Sequence, residues 1–208
     1  AWGLLTPVHW QVGSDGVHVA DPATLGLDEA SSRALLDALQ PWFDSEGFTL
    51  AWGAPLRWYA SHPSFEALAV ASLDRVIGRN VERWLPARAQ ARLVRRLQNE
   101  APMVLHAHPL NTAREVAGSA PVNSFWLSGC GVARAEIAGD PPRVDERLRA
   151  SALAEDWSAW REAWIALDRE GFAGLACITL CGERGALTLA PARRNLWQRI
   201  TAPRLASR

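Results

Sequence analysis

The sequence predicts an α/β protein, with α+β as the alternative: a mixed sheet of hairpins packed by helices. Three observations carry this expectation. Strand-like apolar runs come in pairs around glycine- or proline-bearing turns, stretches between them repeat apolar residues at helical steps, and no internal repeat is visible. With 208 residues, 49% apolar and 21% charged, the chain is long enough to bury a core and is expected to form one domain.

The elements follow in order. LLTPVHWQV (4–12) and VHVA (17–20) flank GSDG, which reads as a hairpin with Asp15-Gly16 in its turn. Asp28 caps a helix in which Leu35, Leu36, Leu39 and Phe43 share one face, and Pro41 is expected to close or kink it. FTLAW and LRWYA around GAP form a second hairpin. FEALAVASLDRVI (65–77) has a short helical pattern, and a longer helix is expected from about Ala87 towards Leu105, bent or split by Pro102. Asn111 is read as the N-cap of TAREVA, placing Arg114 in a first helical turn, with Gly118 as the stop. Asn123 to Leu127 reads as a buried strand before the glycine-rich SGCG.

The polar, proline-rich segment 139–150 is the expected linker between lobes at 1–131 and 151–200. Beyond it, Leu153, Trp157, Trp160, Trp164 and Leu167 mark one helical face. ACITLCGERGALTLA closes as a hairpin, a short helix is expected over 195–200, and TAPRLASR reads as a frayed tail.

Composition removes several function classes. The 22 basic residues balance 22 acidic ones, so no global field draws in nucleic acid or an anionic membrane. Every basic residue is arginine, which excludes a lysine Schiff base, a pyridoxal-phosphate anchor and a P-loop lysine. Three cysteines, Cys130, Cys177 and Cys181, suggest neither a disulfide framework nor a zinc site. With no apolar run able to span a bilayer and no leader pattern at Ala1, a cytoplasmic protein is expected.

Each candidate site also has a structural reading. The 11 tryptophans are assigned to packing rather than to a stacking surface. Arg88, Arg92, Arg95 and Arg96 share one helical face and are read as solvated charge beside Glu100 rather than as a nucleic-acid grip. His106 and His108 have no third ligand beside them, and Ser128 and Cys130 lie outside any GxSxG pattern. Asn111, Arg114 and Asn123 remain as an amide and guanidinium set suited to an anion.

That set lies in HPLNTAREVAGSAPVNSFWLSGCG, which resembles the "HxxNxxRxxxGxxPAxxxWLWGxG" segment of archaeal-type cofactor-independent phosphoglycerate mutases. His108, Asn111, Arg114, Gly118, Pro121, Trp126, Leu127, Gly129 and Gly131 are in register. The likeness extends upstream through PLRWY, with Arg57, and SLDRVIGRNVERWLP, with Asp74. NEAPMVLHAHPLN and PVNSFWLSGCG are closer still to the RpfE-type regulatory proteins of bacteria.

The resemblance implies a substrate-side lobe over residues 1–131. It implies an anion site at Arg57, Asn111, Arg114 and Asn123, supported by His108, Ser128 and Asp74. Such mutases use two divalent metals and a serine nucleophile, but here no DxxGH setting occurs, the Asp-Gly falls in a hairpin, and Ser128 replaces the second tryptophan of Trp-Leu-Trp-Gly. The expectation is therefore a catalytically degenerate binding or regulatory module for a small phosphorylated or carboxylated metabolite, with no catalytic residue, metal or cofactor. The rival expectations are an active metal-dependent mutase or phosphatase whose ligands lie upstream of Ala1, and a protein–protein adaptor.

Overall fold

The computed structural model describes residues 1–85, 91–133, 142–172, 174–182 and 185–190. It divides into two compact units, 1–144 and 145–208.

The first unit is built on four antiparallel strands. They are β1 (Trp2–Val8), β4 (Thr49–Ala54), β5 (Arg57–Ser61) and β6 (Ser124–Gly131), in the order β4-β5-β1-β6. Hairpins packed by helices are thus the observed class. The strand β1 lies between β5 and β6, so its backbone groups are paired on both edges.

A separate two-stranded hairpin, β2 (Trp10–Gly13) and β3 (Gly16–Val19), holds the GSDG turn. The first expected strand is therefore two strands broken at His9. Gly16, at φ 135°, is required in this turn: a Cβ there would meet Asn80 Nδ2 at 2.2 Å, and that amide donates to Asp15 O at 2.9 Å.

Helix α1 (Glu29–Ser45) starts where expected, with the Asp28 carboxylate accepting from Ser31 N at 2.7 Å. This bond holds the Asp28 carboxyl below its ordinary pKa. Pro41 does not close the helix, and α2 (Ala91–His106) likewise runs through Pro102. Their apolar stripes, Leu35, Leu39 and Phe43 on α1 and Val94, Leu97 and Leu105 on α2, are buried in one core with Leu5, Trp58 and Phe125 of the sheet. Burying each such side chain contributes about 1.5–3 kcal/mol, comparable to the ~3 kcal/mol that an interior proline costs.

The helical pattern expected over 65–77 is not realised. The chain there makes 3-10 turns at Pro63–Phe65 and Leu73–Arg75, followed by another at Val81–Arg83. The reason lies in where its apolar residues go. Phe65 and Leu68 join the first core, whereas Val76 and Val81 join a second one with Val8, Val19 and Trp126. A segment serving two cores has to change direction, which one helical face cannot do. Alternation along β6 follows from the same arrangement: Phe125 and Leu127 enter the first core and Trp126 the second. The strand continues through SGCG to Gly131, beyond its expected end.

In the second unit, α4 (Arg149–Leu153) precedes α5 (Trp157–Glu170), whose cap Asp156 accepts from Ala159 N at 3.0 Å. Trp160 and Trp164 stack in parallel, 5.7 Å apart, as their shared face requires. No described residue of α5 is buried, and Trp157 is 63% exposed, so the packing role expected for this indole is not met. Strands β7 (Ile178–Cys181) and β8 (Ala186–Leu189) pair antiparallel as the expected hairpin. Part of the expected linker (139–141), the expected helix start at Ala87, the helix over 195–200 and the tail lie outside the described residues, as does Arg88.

Candidate functional site

Helix α3 (Pro109–Val116) carries Asn111 and Arg114, and Asn123 lies beyond it, just before β6. Its cap is His108, not Asn111: the His108 Nδ1 accepts from Leu110 N at 3.3 Å, and Pro109 takes the first helical position, where a missing N–H costs nothing. Arg114 consequently falls in the last turn, where a cation suits the helix dipole. The expectation of an arginine set against the dipole is corrected by this three-residue shift of the helix start.

Asn111, Arg114 and Asn123 each direct their polar atoms to main chain, and among the described residues no hydrogen bond joins the three side chains to one another. Asn111 Nδ2 donates to Leu105 O at 2.8 Å and Val122 O at 2.7 Å, while its Oδ1 accepts from Val122 N at 2.8 Å. Arg114 Nε donates to Ala120 O at 2.8 Å and Nη2 to Leu25 O at 2.6 Å. Asn123 Oδ1 accepts from Trp10 N at 2.7 Å and Nδ2 donates to Trp10 O at 2.9 Å, as a neighbouring strand would. These bonds fix the approach of β6 to β1 and β2.

The other expected site residues are placed elsewhere. Arg57 is exposed at the start of β5, and among the described residues no hydrogen bond or ion pair links it to the other three. Asp74 is exposed in the Leu73–Arg75 turn, and Ser128 is buried in β6 opposite Leu4. Among the described residues no group of three or more His, Cys, Asp or Glu side chains is gathered for a metal.

Cys130 follows on β6, half-buried, and burial pushes its thiol up to about 12. Near pH 8 its thiolate fraction is then roughly a thousandfold below that of a free cysteine. Native iodoacetamide labelling, read by peptide mass spectrometry, is expected to modify the exposed Cys177 and Cys181 and leave Cys130 intact. Labelling of Cys130 at a rate matching the other two would contradict this.

An open groove bearing arginines lies on α2. Arg92, Arg95, Arg96 and Asn99 line a groove with Glu82, Leu85 and Glu100. Arg96 pairs with Glu46 and has its Nε 3.9 Å from Glu100. Among the described residues Arg92 and Arg95 have no carboxylate partner, and both are exposed. The helical spacing of these arginines was visible in the sequence; which of them lacked a partner was not, because Glu46 comes from the end of α1.

No family model and no curated protein matches the chain. Among solved structures, it is similar to a cofactor-independent phosphoglycerate mutase from Thermoplasma acidophilum DSM 1728, at 18% identity and a TM-score of 0.48. The match covers 62% of this chain and 36% of that one, so the chain spans about a third of the mutase's length. No helix among the described residues is long and apolar enough to cross a membrane.

Proposed function

We propose that the chain is a binding module of the RpfE regulatory type that holds a small phosphorylated or carboxylated metabolite without transforming it, on the outer face of α2. The observation that carries this reading is the pair of exposed guanidiniums, Arg92 and Arg95, which among the described residues have no carboxylate partner and which line an open groove with the Asn99 amide. They are three residues apart, so they are neighbours on the helix surface. Each presents a planar fork of donors that matches phosphate or carboxylate oxygens. Arg96 is already neutralised by Glu46 and Glu100, which leaves Arg92 and Arg95 as the cations that gain most from an anion.

Calorimetric titration with phosphate monoesters, 3-phosphoglycerate among them, and with small dicarboxylates tests this at low and high salt. A charge-assisted contact contributes about 1.5–3 kcal/mol, less at an exposed site, so the double variant Arg92→Ala/Arg95→Ala is expected to bind about ten- to a hundredfold more weakly. Binding should also weaken as salt rises, since the groove is open to screening. Equal affinity in parent and variant, or no binding of any anion, would overturn the reading.

A further inference from the structure

Strand β7 (Ile178–Cys181) pairs with β8 on one side, and among the described residues no strand pairs with its other edge. An open row of N–H and C=O groups is a template for a further strand, so edges are usually guarded by charge, proline or a bulge. The run CITLC (177–181) carries none of these guards.

The hairpin is also short of cover. Its register, Ile178 opposite Leu189 and Leu180 opposite Leu187, puts four apolar side chains on one face. Leu187 and Leu189 are 58% and 48% exposed, and no described residue of the second unit is buried. A two-stranded hairpin is marginal in water; independent stability takes three or more strands with an apolar face.

What completes this edge can be read from the edge itself. Antiparallel pairing with the same run of a second copy, centred on Thr179, sets Cys177 opposite Cys181, Ile178 opposite Leu180 and Thr179 opposite Thr179. Like meets like at every position, and no charge is brought into the contact. The product is a four-stranded sheet in the order β8-β7-β7-β8, with the apolar faces of both hairpins joined.

The opposite face carries Cys177, Thr179 and Cys181, all exposed. Directly opposed residues of an antiparallel pair have Cα atoms about 4.5–5.5 Å apart, inside the range of about 4.4–6.8 Å that a disulfide spans. Within one chain the two cysteines are four residues apart on a strand, ~13 Å, so they do not bridge each other.

We propose that β7 is a dimerisation edge: a second copy of the chain adds to it antiparallel about Thr179, and a small-molecule disulfide of the oxidised-glutathione class locks the pair through two Cys177–Cys181 bridges between copies. For each bridge, the thiolate of one cysteine attacks the small disulfide, which gives a mixed disulfide and one small thiol. The opposing cysteine then attacks the protein sulfur of that mixed disulfide, the interchain S–S bond forms and the second small thiol leaves. Two protein thiols are oxidised, one small disulfide is reduced, and the two protons end on the small thiols.

The test treats the full chain with oxidised glutathione and reads it by non-reducing gel electrophoresis and peptide mass spectrometry. The parent is expected to give a covalent dimer. Cys177→Ser and Cys181→Ser each remove both bridges, so either variant alone should stay monomeric. An equimolar mixture of the two regains one bridge and should crosslink, with the linked peptides coming one from each variant. Both cysteines are exposed, so serine leaves the fold undisturbed. A parent that stays monomeric overturns the inference, because the two edges then do not meet. Single variants that crosslink by themselves as readily as the mixture, or a mixture that fails to crosslink, overturn it as well, because the bridges then form without this register.

Discussion

Replacing Asn111 by alanine is expected to cost about 3–5 kcal/mol of the first unit's stability, a large part of the ~5–15 kcal/mol that holds a typical domain folded. The side chain is 1% exposed and serves three backbone groups, Leu105 O, Val122 O and Val122 N. Leu105 and Val122 are themselves buried, so water does not replace what alanine removes. Leu105 O keeps one donor, His108 N at 3.1 Å, which places the larger loss at Val122. Asn111→Asp sharpens the test. A carboxylate still accepts from Val122 N but turns an oxygen lone pair toward two carbonyls, so this variant should be at least as unstable at neutral pH and partly recover on acidification, when one oxygen gains a proton to donate. Urea unfolding followed by far-ultraviolet circular dichroism reads both effects as a fall in midpoint at unchanged slope. A loss below about 1 kcal/mol for alanine would mean that the clamp is not the anchor of β6.

The same residue shows how far the sequence could be read. That Asn111 does more than decorate a surface was legible from its place between helix and strand. Its partners were not, because two of its three bonds go to Val122, eleven residues on, and register at that distance is set by tertiary packing. The helix start was misplaced for a local reason: His108 and Asn111 can both cap, and Pro109 decides between them by fixing the first helical backbone angle. Arg114 stands out in the sequence, but its acceptor Leu25 O is 89 positions away on a turn that nothing in the local pattern points to.

Periodicity succeeded where apolar residues recur at a single period. It found α1 and the β4–β5 hairpin, which face one core, and also α5 and the β7–β8 hairpin, none of whose described residues is buried. It failed over 65–77, where neighbouring apolar residues belong to cores on opposite sides of the sheet. The candidate groove shows the converse limit. Helical spacing alone marks the arginine row on α2 as solvated charge, and for Arg96 the ion pairs fit that expectation. Arg92 and Arg95 are exposed, as that reading expects, and among the described residues neither has a carboxylate partner, which helical spacing cannot reveal.

Ser32→Ala is expected to cost about 2–4 kcal/mol, although it removes a single oxygen. That hydroxyl is 0% exposed and joins three elements: it donates to Pro55 O at 2.8 Å and accepts from the indole N–H groups of Trp58 at 2.9 Å and Trp52 at 3.1 Å. The bonds tie α1 to the β4–β5 hairpin, and the arrangement extends to the surface, where the Arg33 guanidinium lies 3.7 Å over the Trp52 ring. Trp58 is fully buried, so its N–H has no other acceptor once the oxygen is gone, whereas Trp52 is partly exposed and can turn to water. The loss should accordingly depend on Trp58. In a double-mutant cycle, Trp58→Phe removes that donor, and Ser32→Ala made in its background should cost roughly 1–2 kcal/mol less than in the parent. Additivity to within about 0.5 kcal/mol would show that the Trp58 bond adds nothing, and that the hydroxyl stabilises the hairpin through Pro55 and Trp52.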